Sequence, residues 1–347
     1  MRCLEAFQMP TLSRYPHKIG GIMYKWLIAA LVAAHAAALP VKAETLSTLE
    51  AGQTGKLTFM GETPKNYDYL IRGLLDATPL TGTLVMPKNA KSKVPAVVII
   101  HGSGGLSDRE TDWAEFFVQN GWAAFYIDSF TDRGLKGTGS NQSALSYSAG
   151  IADAYSGLRL LATHPGIDPK RIALIGFSRG GTAAAYSIFD KLRRPVSPDH
   201  KFAAHVALYP GCSMWSEQTT GAPMRIYVGD QDDYERPETC QRFAEMLRAK
   251  GVDAQVTIYP SVRHGFDRQL YRPEYSGKAE QWKACNMMTF MDNWTYKRFD
   301  TGEVRPISEV GSYLSTCKGL GAGSLGNKQA REQVRLDVQK FLSEVFK

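Results

Sequence analysis

Little in this chain points toward metal, membrane or nucleic acid. Its five cysteines form no C-x-x-C pair and no Cys/His spacing of the kind that holds zinc, so neither a metal nor a cofactor is expected. The apolar stretch from Trp26 to Leu39 is 14 residues long, short of the roughly 20 that cross a bilayer. No internal repeat and no low-complexity tract is present. Hydrophobic residues at 44% and charged residues at 22% exclude wholesale disorder. The formal charge is +7, but residues 1–43 carry a net +4 of it. The remaining Lys and Arg are scattered, which describes a solvated, mildly basic surface rather than a nucleic-acid footprint.

What is there begins with an address. Lys25 precedes the apolar stretch, and Val41-Lys42-Ala43 offers the small residues that a signal peptidase reads. Residues 1–43 are expected to be a signal peptide, leaving a mature chain from Glu44 in the periplasm or outside the cell, with no stable membrane association. A membrane anchor or a buried helix is the alternative. Met23 lies just before the basic residue, so a start at that position would also leave a signal sequence.

Downstream, strand and helix patterns alternate. Strands are expected at Lys56 to Met60, Leu80 to Met86, Val97 to Ile100, Ala123 to Ile127, Ile172 to Ile175, Ala203 to Leu208, Met224 to Val228 and Ala254 to Tyr259. The run Val97-Val98-Ile99-Ile100 is continuously apolar, the mark of a strand buried on both faces. Helices are expected near Asp112 to Gln119, through Ile151, Tyr155, Leu158 and Ala162, and at the end through Val334, Val338, Phe341, Leu342 and Val345. Alternation of this kind predicts one α/β domain over 44–347, a mostly parallel sheet with helices on both faces. Residues 270–327 resist the pattern. They are rich in Tyr, Trp, Met and Gly, with Ala279 to Trp294 readable as a helix, and a cap over a site or mere surface decoration are the two readings.

Export removes Cys3 and leaves Cys212, Cys240, Cys285 and Cys317, an even number that suggests two disulfides with three pairings. Cys212 follows one strand end, and Cys240 follows the acidic loop of the next. That neighbourhood predicts the pairs 212–240 and 285–317. A buried free Cys240, on a helical face with Phe243, Ala244 and Leu247, is the alternative.

The chemistry lies in Ile172-Ala-Leu-Ile-Gly-Phe-Ser-Arg-Gly-Gly181, a buried strand that runs into G-x-S-x-G and then a helix. A serine on such a strained strand-to-helix turn exposes its Oγ at the sheet end, and this arrangement marks the α/β-hydrolase fold. The fold supplies a carboxylate and then a histidine from later strand ends. The strand from Met224 ends in Gly229-Asp-Gln-Asp-Asp233, and the strand from Ala254 is followed by Ser261-Val-Arg-His264. His264 is the only histidine downstream of those aspartates. Asp230, Asp232 and Asp233 stay open on position alone. His101-Gly-Ser-Gly-Gly105 follows the first buried strand, where the backbone N–H groups of Ser103 and Arg179 are the expected oxyanion donors.

From about Val94 to Phe266 these residues resemble the dienelactone hydrolase family, through HGSGG, the DSFTDRG segment 128–134, GFSRGG, GDQDD and RHGFDR. The resemblance implies that the acid stands three positions after a glycine, which selects Asp232. It also implies a substrate carboxylate held by Arg268, four residues after His264; Arg133 lies on the same carboxyl edge of the sheet. The implied function is hydrolysis of a small-molecule carboxylic ester or lactone by Ser178, His264 and Asp232 through an acyl-enzyme. Two departures matter: family enzymes carry cysteine where Ser178 stands, and glutamate where Gly102 stands. Dienelactone as substrate is therefore not implied. A prolyl-oligopeptidase-type serine peptidase shares the G-x-S-x-G-G turn, and a non-catalytic binding protein of this fold is the reading from another class.

Overall fold

All seven residues of β3 (Val94–Ile100) are buried, because core layers press on both of its faces. Val98 and Ile100 pack into one layer, Val97 and Ile99 into the other. The computed structural model describes residues 44–88 and 90–347; the expected signal peptide lies outside them.

Around β3 the chain builds an eight-stranded sheet. In chain order its strands are β1 (Gly55–Pro64), β2 (Leu75–Val85), β3, β4 (Ala123–Asp128), β5 (Ile167–Phe177), β6 (His205–Leu208), β8 (Met224–Gly229) and β9 (Ala254–Tyr259). The short β7 (Met214–Trp215) belongs elsewhere. The spatial order is β1-β2-β4-β3-β5-β6-β8-β9. β1, β2 and β4 pair antiparallel, and every pairing from β4 to β9 is parallel. From β3 the sheet grows one way through β4 and the other way through β5. Ligands in open α/β sheets bind at such a reversal, outside the carboxyl ends of the strands.

Helices α1 (Tyr67–Ile71), α3 (Tyr147–Ala162), α4 (Arg179–Tyr186), α5 (Asp190–Arg193) and α6 (Pro237–Ala249) cover one face. Helices α2 (Asp108–Gln119) and α8 (Lys328–Val345) cover the other. The chain is an α/β-hydrolase fold, as its alternating pattern implies. α2 starts a turn earlier than its apolar spacing suggests. The Ser107 side chain caps the helix and the Glu110 carboxylate reaches back to the Ser107 N–H at 2.9 Å. Its Trp113 is fully buried against Phe117 and Phe177.

Residues 270–327 depart from expectation. No helix forms over Ala279 to Trp294. Instead β10 (Glu274–Gln281) pairs with β14 (Gly319–Ser324), and β11 (Met287–Phe290) pairs with β12 (Thr295–Arg298), which pairs with β13 (Val304–Pro306). β11 also runs parallel to β7, some seventy residues earlier in the chain. A distant partner of this kind overrides local spacing. The one α-helix in the segment is α7 (Val310–Cys317), entered through a 3-10 turn at Ile307–Glu309. The disulfides join Cys212 to Cys240 and Cys285 to Cys317, so the second ties the β10–β11 turn to the end of α7.

Candidate active site

Loops that follow β3, β5, β8 and β9 converge on one site at the carboxyl edge of the sheet. Ser178 follows β5 directly and has φ 53° and ψ −115°, a backbone conformation that costs an L-residue energy. The turn is pinned from both sides: the Ser178 N–H donates to Leu208 O at 2.9 Å, and Thr182 N–H donates to Ser178 O at 2.8 Å. It is also crowded. A Cβ on Gly176 would overlap the Gly180 carbonyl, and one on Gly180 would overlap the Ile100 carbonyl. Only glycine fits either place, which is the physical content of G-x-S-x-G.

The Ser178 Oγ lies 2.9 Å from His264 Nε2, and His264 Nδ1 lies 2.7 Å from Asp232 Oδ2. Asp232 is buried, and its other oxygen accepts from the N–H groups of Tyr234 (2.7 Å) and Glu235 (3.1 Å). Its neighbours are engaged elsewhere. Asp230 is exposed and accepts from Val262 N–H at 3.3 Å, while Asp233 faces Arg263 and Lys283 at 3.7 and 3.8 Å. The loop thus brings Asp232, and neither of its neighbours, to His264.

Two tyrosine rings pack against the imidazole of His264. The Tyr209 ring centroid is 4.5 Å away and that of Tyr234 is 4.3 Å away. Tyr209 is held from behind: its hydroxyl donates to Asp267, which also accepts from Trp113 Nε1 at 2.8 Å. Arg109 donates to the Tyr209 hydroxyl at 3.1 Å and pairs with buried Glu110 at 2.9 Å. Burial pushes the Tyr209 phenol well above its ordinary pKa, so it stays a donor. Pattern reading missed these supports, because Tyr209 and Asp267 are 58 residues apart and Trp113 and Asp267 are 154 apart.

The loop after β3 closes against the serine. A Cβ on Gly102 would stand 3.5 Å from the Ser178 Cβ. His101 Nε2 accepts from Ser129 N–H at 3.0 Å, which leaves its Nδ1–H to donate to Gly102 O at 2.7 Å. Burial lowers the His101 pKa, so the ring keeps that neutral form. Ser103 exchanges side-chain hydrogen bonds with Gln142 at 2.9 and 3.1 Å. The Gln142 N–H donates to Glu280 of β10 at 2.9 Å. Through this chain the 270–327 segment reaches the loop beside the serine. Arg179 follows Ser178 at the first position of α4, where a backbone N–H has no partner within the helix.

Ser178, Ser103, His264, Tyr234, Gln142 and Arg268 all border one cavity of about 1130 Å³. Tyr275, Ser276, Lys278 and Ala279 of β10 and Ala322 and Ser324 of β14 border it too. Its charge is lopsided: Arg109, Lys136, Arg268, Arg272 and Lys278 line it against Glu274. Arg109 and Arg268 are paired, the latter with Glu274 at 2.6 Å. Lys136, Arg272 and Lys278 have no carboxylate within 4.0 Å among the described residues.

Arg133 is not in this cavity, which corrects the expectation from its position after β4. It grips buried Asp153 of α3 with two bonds of 2.7 and 2.8 Å, and also reaches Thr63 (2.9 Å) and Ser129 O (2.8 Å). A buried carboxylate left unpaired is costly, so α3 claims the guanidinium.

A sequence model of the dienelactone hydrolase family matches residues 80–294. The chain belongs to that family. Among curated proteins it is similar to a Yersinia pestis protein named "Putative carboxymethylenebutenolidase", 28% identical over 123 residues. That match covers 35% of this chain and 46% of the length of the other. Among solved structures it is similar to a thermophilic esterase of Thermogutta terrifontis with propionate bound (TM-score 0.44, 20% identity, 54% of this chain and 80% of that one). The same enzyme phosphonylated by cyclosarin gives a TM-score of 0.44 at 21% identity, again with 54% and 80% covered. Ser178 and Gly102 are the two positions at which the sequence resemblance implies a departure. They stand side by side in space.

Proposed function

We propose that this chain is an exported carboxylic-ester hydrolase that works through an acyl-enzyme on Ser178. The observation that carries the reading is the unbroken hydrogen-bonded line Ser178–His264–Asp232 at 2.9 and 2.7 Å. The Ser178 Oγ attacks the ester carbonyl carbon while His264 Nε2 takes its proton. The oxyanion that forms accepts from the N–H groups of Ser103 and Arg179. The C–O bond to the alcohol then breaks, and the alkoxide leaves with the proton from Nε2. Water repeats the sequence on the acyl-serine, releasing the acid and restoring Ser178. Asp232 holds the imidazole in the tautomer that presents a bare Nε2 to the serine.

The substrate is a small ester or lactone bearing negative charge near the scissile bond. The lopsided charge of the cavity supports this, with Arg268 at its wall and Lys136, Arg272 and Lys278 free to meet an anion. β10 and β14 serve as a fixed cap over that cavity. Export to the periplasm or beyond is supported by the two disulfides, which persist in oxidising compartments. Among the described residues no helix is long and apolar enough to cross a membrane.

A fluorophosphonate probe tests the reading directly. It should label one residue, Ser178, and labelling should abolish ester hydrolysis. Near wild-type turnover by folded Ser178→Ala would overturn the proposal. Amino-terminal sequencing of the exported protein should begin at Glu44.

A further inference from the structure

A second cavity, of about 240 Å³, lies behind the nucleophile and shares no lining residue with the first. It is bounded by α1, the start of α3, α4, the loop after β8 and the 270–327 segment. Tyr67, Tyr147, Tyr186 and Trp282 supply four aromatic side chains, and Met214 and Met287 add apolar wall. Half-buried Val310 and Leu314 of α7 stand at its edge. Within this apolar shell is one carboxyl, Glu235. Among the described residues that carboxyl makes no hydrogen bond and has no cation within 4.0 Å.

Glu235 is half-buried and borders this cavity, and the mechanism above makes no use of its carboxyl. The charged and titratable groups that surround it are already committed or neutral. Asp232 is satisfied by His264 and two backbone N–H groups. Tyr186 accepts from Ser213 N–H at 2.8 Å, and Tyr147 donates to Gln142 at 3.3 Å. Arg179 lies over the Tyr147 ring at 4.1 Å, with its guanidinium spent on Gln142 and the Leu145 carbonyl. Tyr67 faces in from α1, and burial holds its phenol protonated.

We propose that this cavity binds a small organic ammonium ion, with Glu235 as its counter-ion and the aromatic side chains as its walls. A cation over aromatic faces gains from their quadrupoles, the more so out of water. A neutral guest gains no charge pairing from the carboxyl, and an anion would be repelled by ionised Glu235 with Asp232 nearby. The volume matches roughly eight waters, the size of a one-ring amine. The site also carries a proton signature. Burial and the neighbouring Asp232 push the Glu235 pKa up to about 8. Below that pH an arriving ammonium must displace the proton, so its apparent affinity rises about tenfold per pH unit.

Calorimetric titration of the full chain with benzylamine, benzyl alcohol and benzoate at pH 6, 7 and 8 tests this. Benzylamine should bind about tenfold more tightly at pH 7 than at pH 6, and more tightly than either other probe. Glu235→Gln should weaken it at least about tenfold, and Leu314→Trp, which fills the cavity, should abolish it. Equal binding of benzyl alcohol, indifference to Leu314→Trp, or no benzylamine binding at millimolar concentration would each overturn the proposal. Should Glu235→Gln fail to unfold cooperatively, the pH series and Leu314→Trp still decide. None of these outcomes depends on whether Ser178 is a nucleophile.

Discussion

The sheet and the 270–327 segment are built on different terms. The sheet carries two large apolar layers, with β3 buried along its whole length between them. The segment has a small core of Cys285, Met287, Tyr296 and Tyr313, and leans on a disulfide, on ion pairs such as Lys318–Glu280, and on borrowed pairing with β7. Both border the cleft, but they contribute differently. Ser178, His264 and Asp232 come from strand ends that cannot move without disturbing the core. β10 and β14 contribute wall and charge from a scaffold that is thin by comparison. Reaction geometry is thereby assigned to the rigid part, and the shape of the site to the part most easily altered.

That contrast can be broken first at the sheet. His264→Ala should lower kcat for an ester by roughly a thousandfold or more, with Asp232→Asn costing as much or somewhat less. Neither should change hydrogen exchange in β10 or β14. Steady-state kinetics beside exchange mass spectrometry checks both halves, and intact turnover in His264→Ala would refute the assignment.

The next largest effect belongs to the segment. Replacing Cys285 and Cys317 with Ala removes a 32-residue closure, worth about 3–4 kcal/mol on the chain-entropy view. Exchange should quicken over 274–324 while β3 and β5 stay protected. Uniform quickening across the sheet would show that the two regions unfold as one.

A smaller loss is expected from Arg268→Ala, which lies where the two regions meet. Its kcat/KM should fall by about tenfold or more on an acidic ester and little on the neutral methyl ester. Equal losses on both would make Arg268 a structural partner of Glu274 alone.

The gentlest probe is Glu235. Its folded pKa of about 8 stands above the ordinary 4.5, so the unfolded chain ionises first as pH rises. The Glu235 contribution to stability should therefore be full below about 4.5 and fall through the window up to about 8. Glu235→Gln removes that slope, so its Tm relative to wild type should improve from pH 5 to pH 8. A Tm difference that is flat across those pH values would contradict the shift.

The same contrast governs what could be read from the sequence. Val97 to Ile100 announced a doubly covered strand, and the G-x-S-x-G turn announced its serine, because both obey rules of immediate neighbours. The start of α2 is also encoded locally: Ser107 and Glu110 form a capping box, a signal separate from the apolar spacing that marks Asp112 to Gln119. β11 was not legible, since its parallel partner is Met214–Trp215. Arg133 was misplaced for a related reason. Its charge suited the cleft, but Asp153, twenty residues on, becomes a neighbour only after α3 has folded. Asp230, Asp232 and Asp233 were equivalent on position alone, and the fold separates them by which carboxylate turns inward.

One feature of the site also bears on how often the reaction can run. With its Nδ1 held by Asp232 at 2.7 Å and the Tyr209 and Tyr234 rings packed close by, the His264 imidazole keeps Nε2 toward Ser178. The nitrogen that receives a proton must therefore be the one that gives it up. In the proposed cycle alcohol and water both meet the same Nε2, one after the other, at one fixed spot. The ring acts as a relay with a single port, and traffic through that port, rather than any swing of the histidine, sets the order of events.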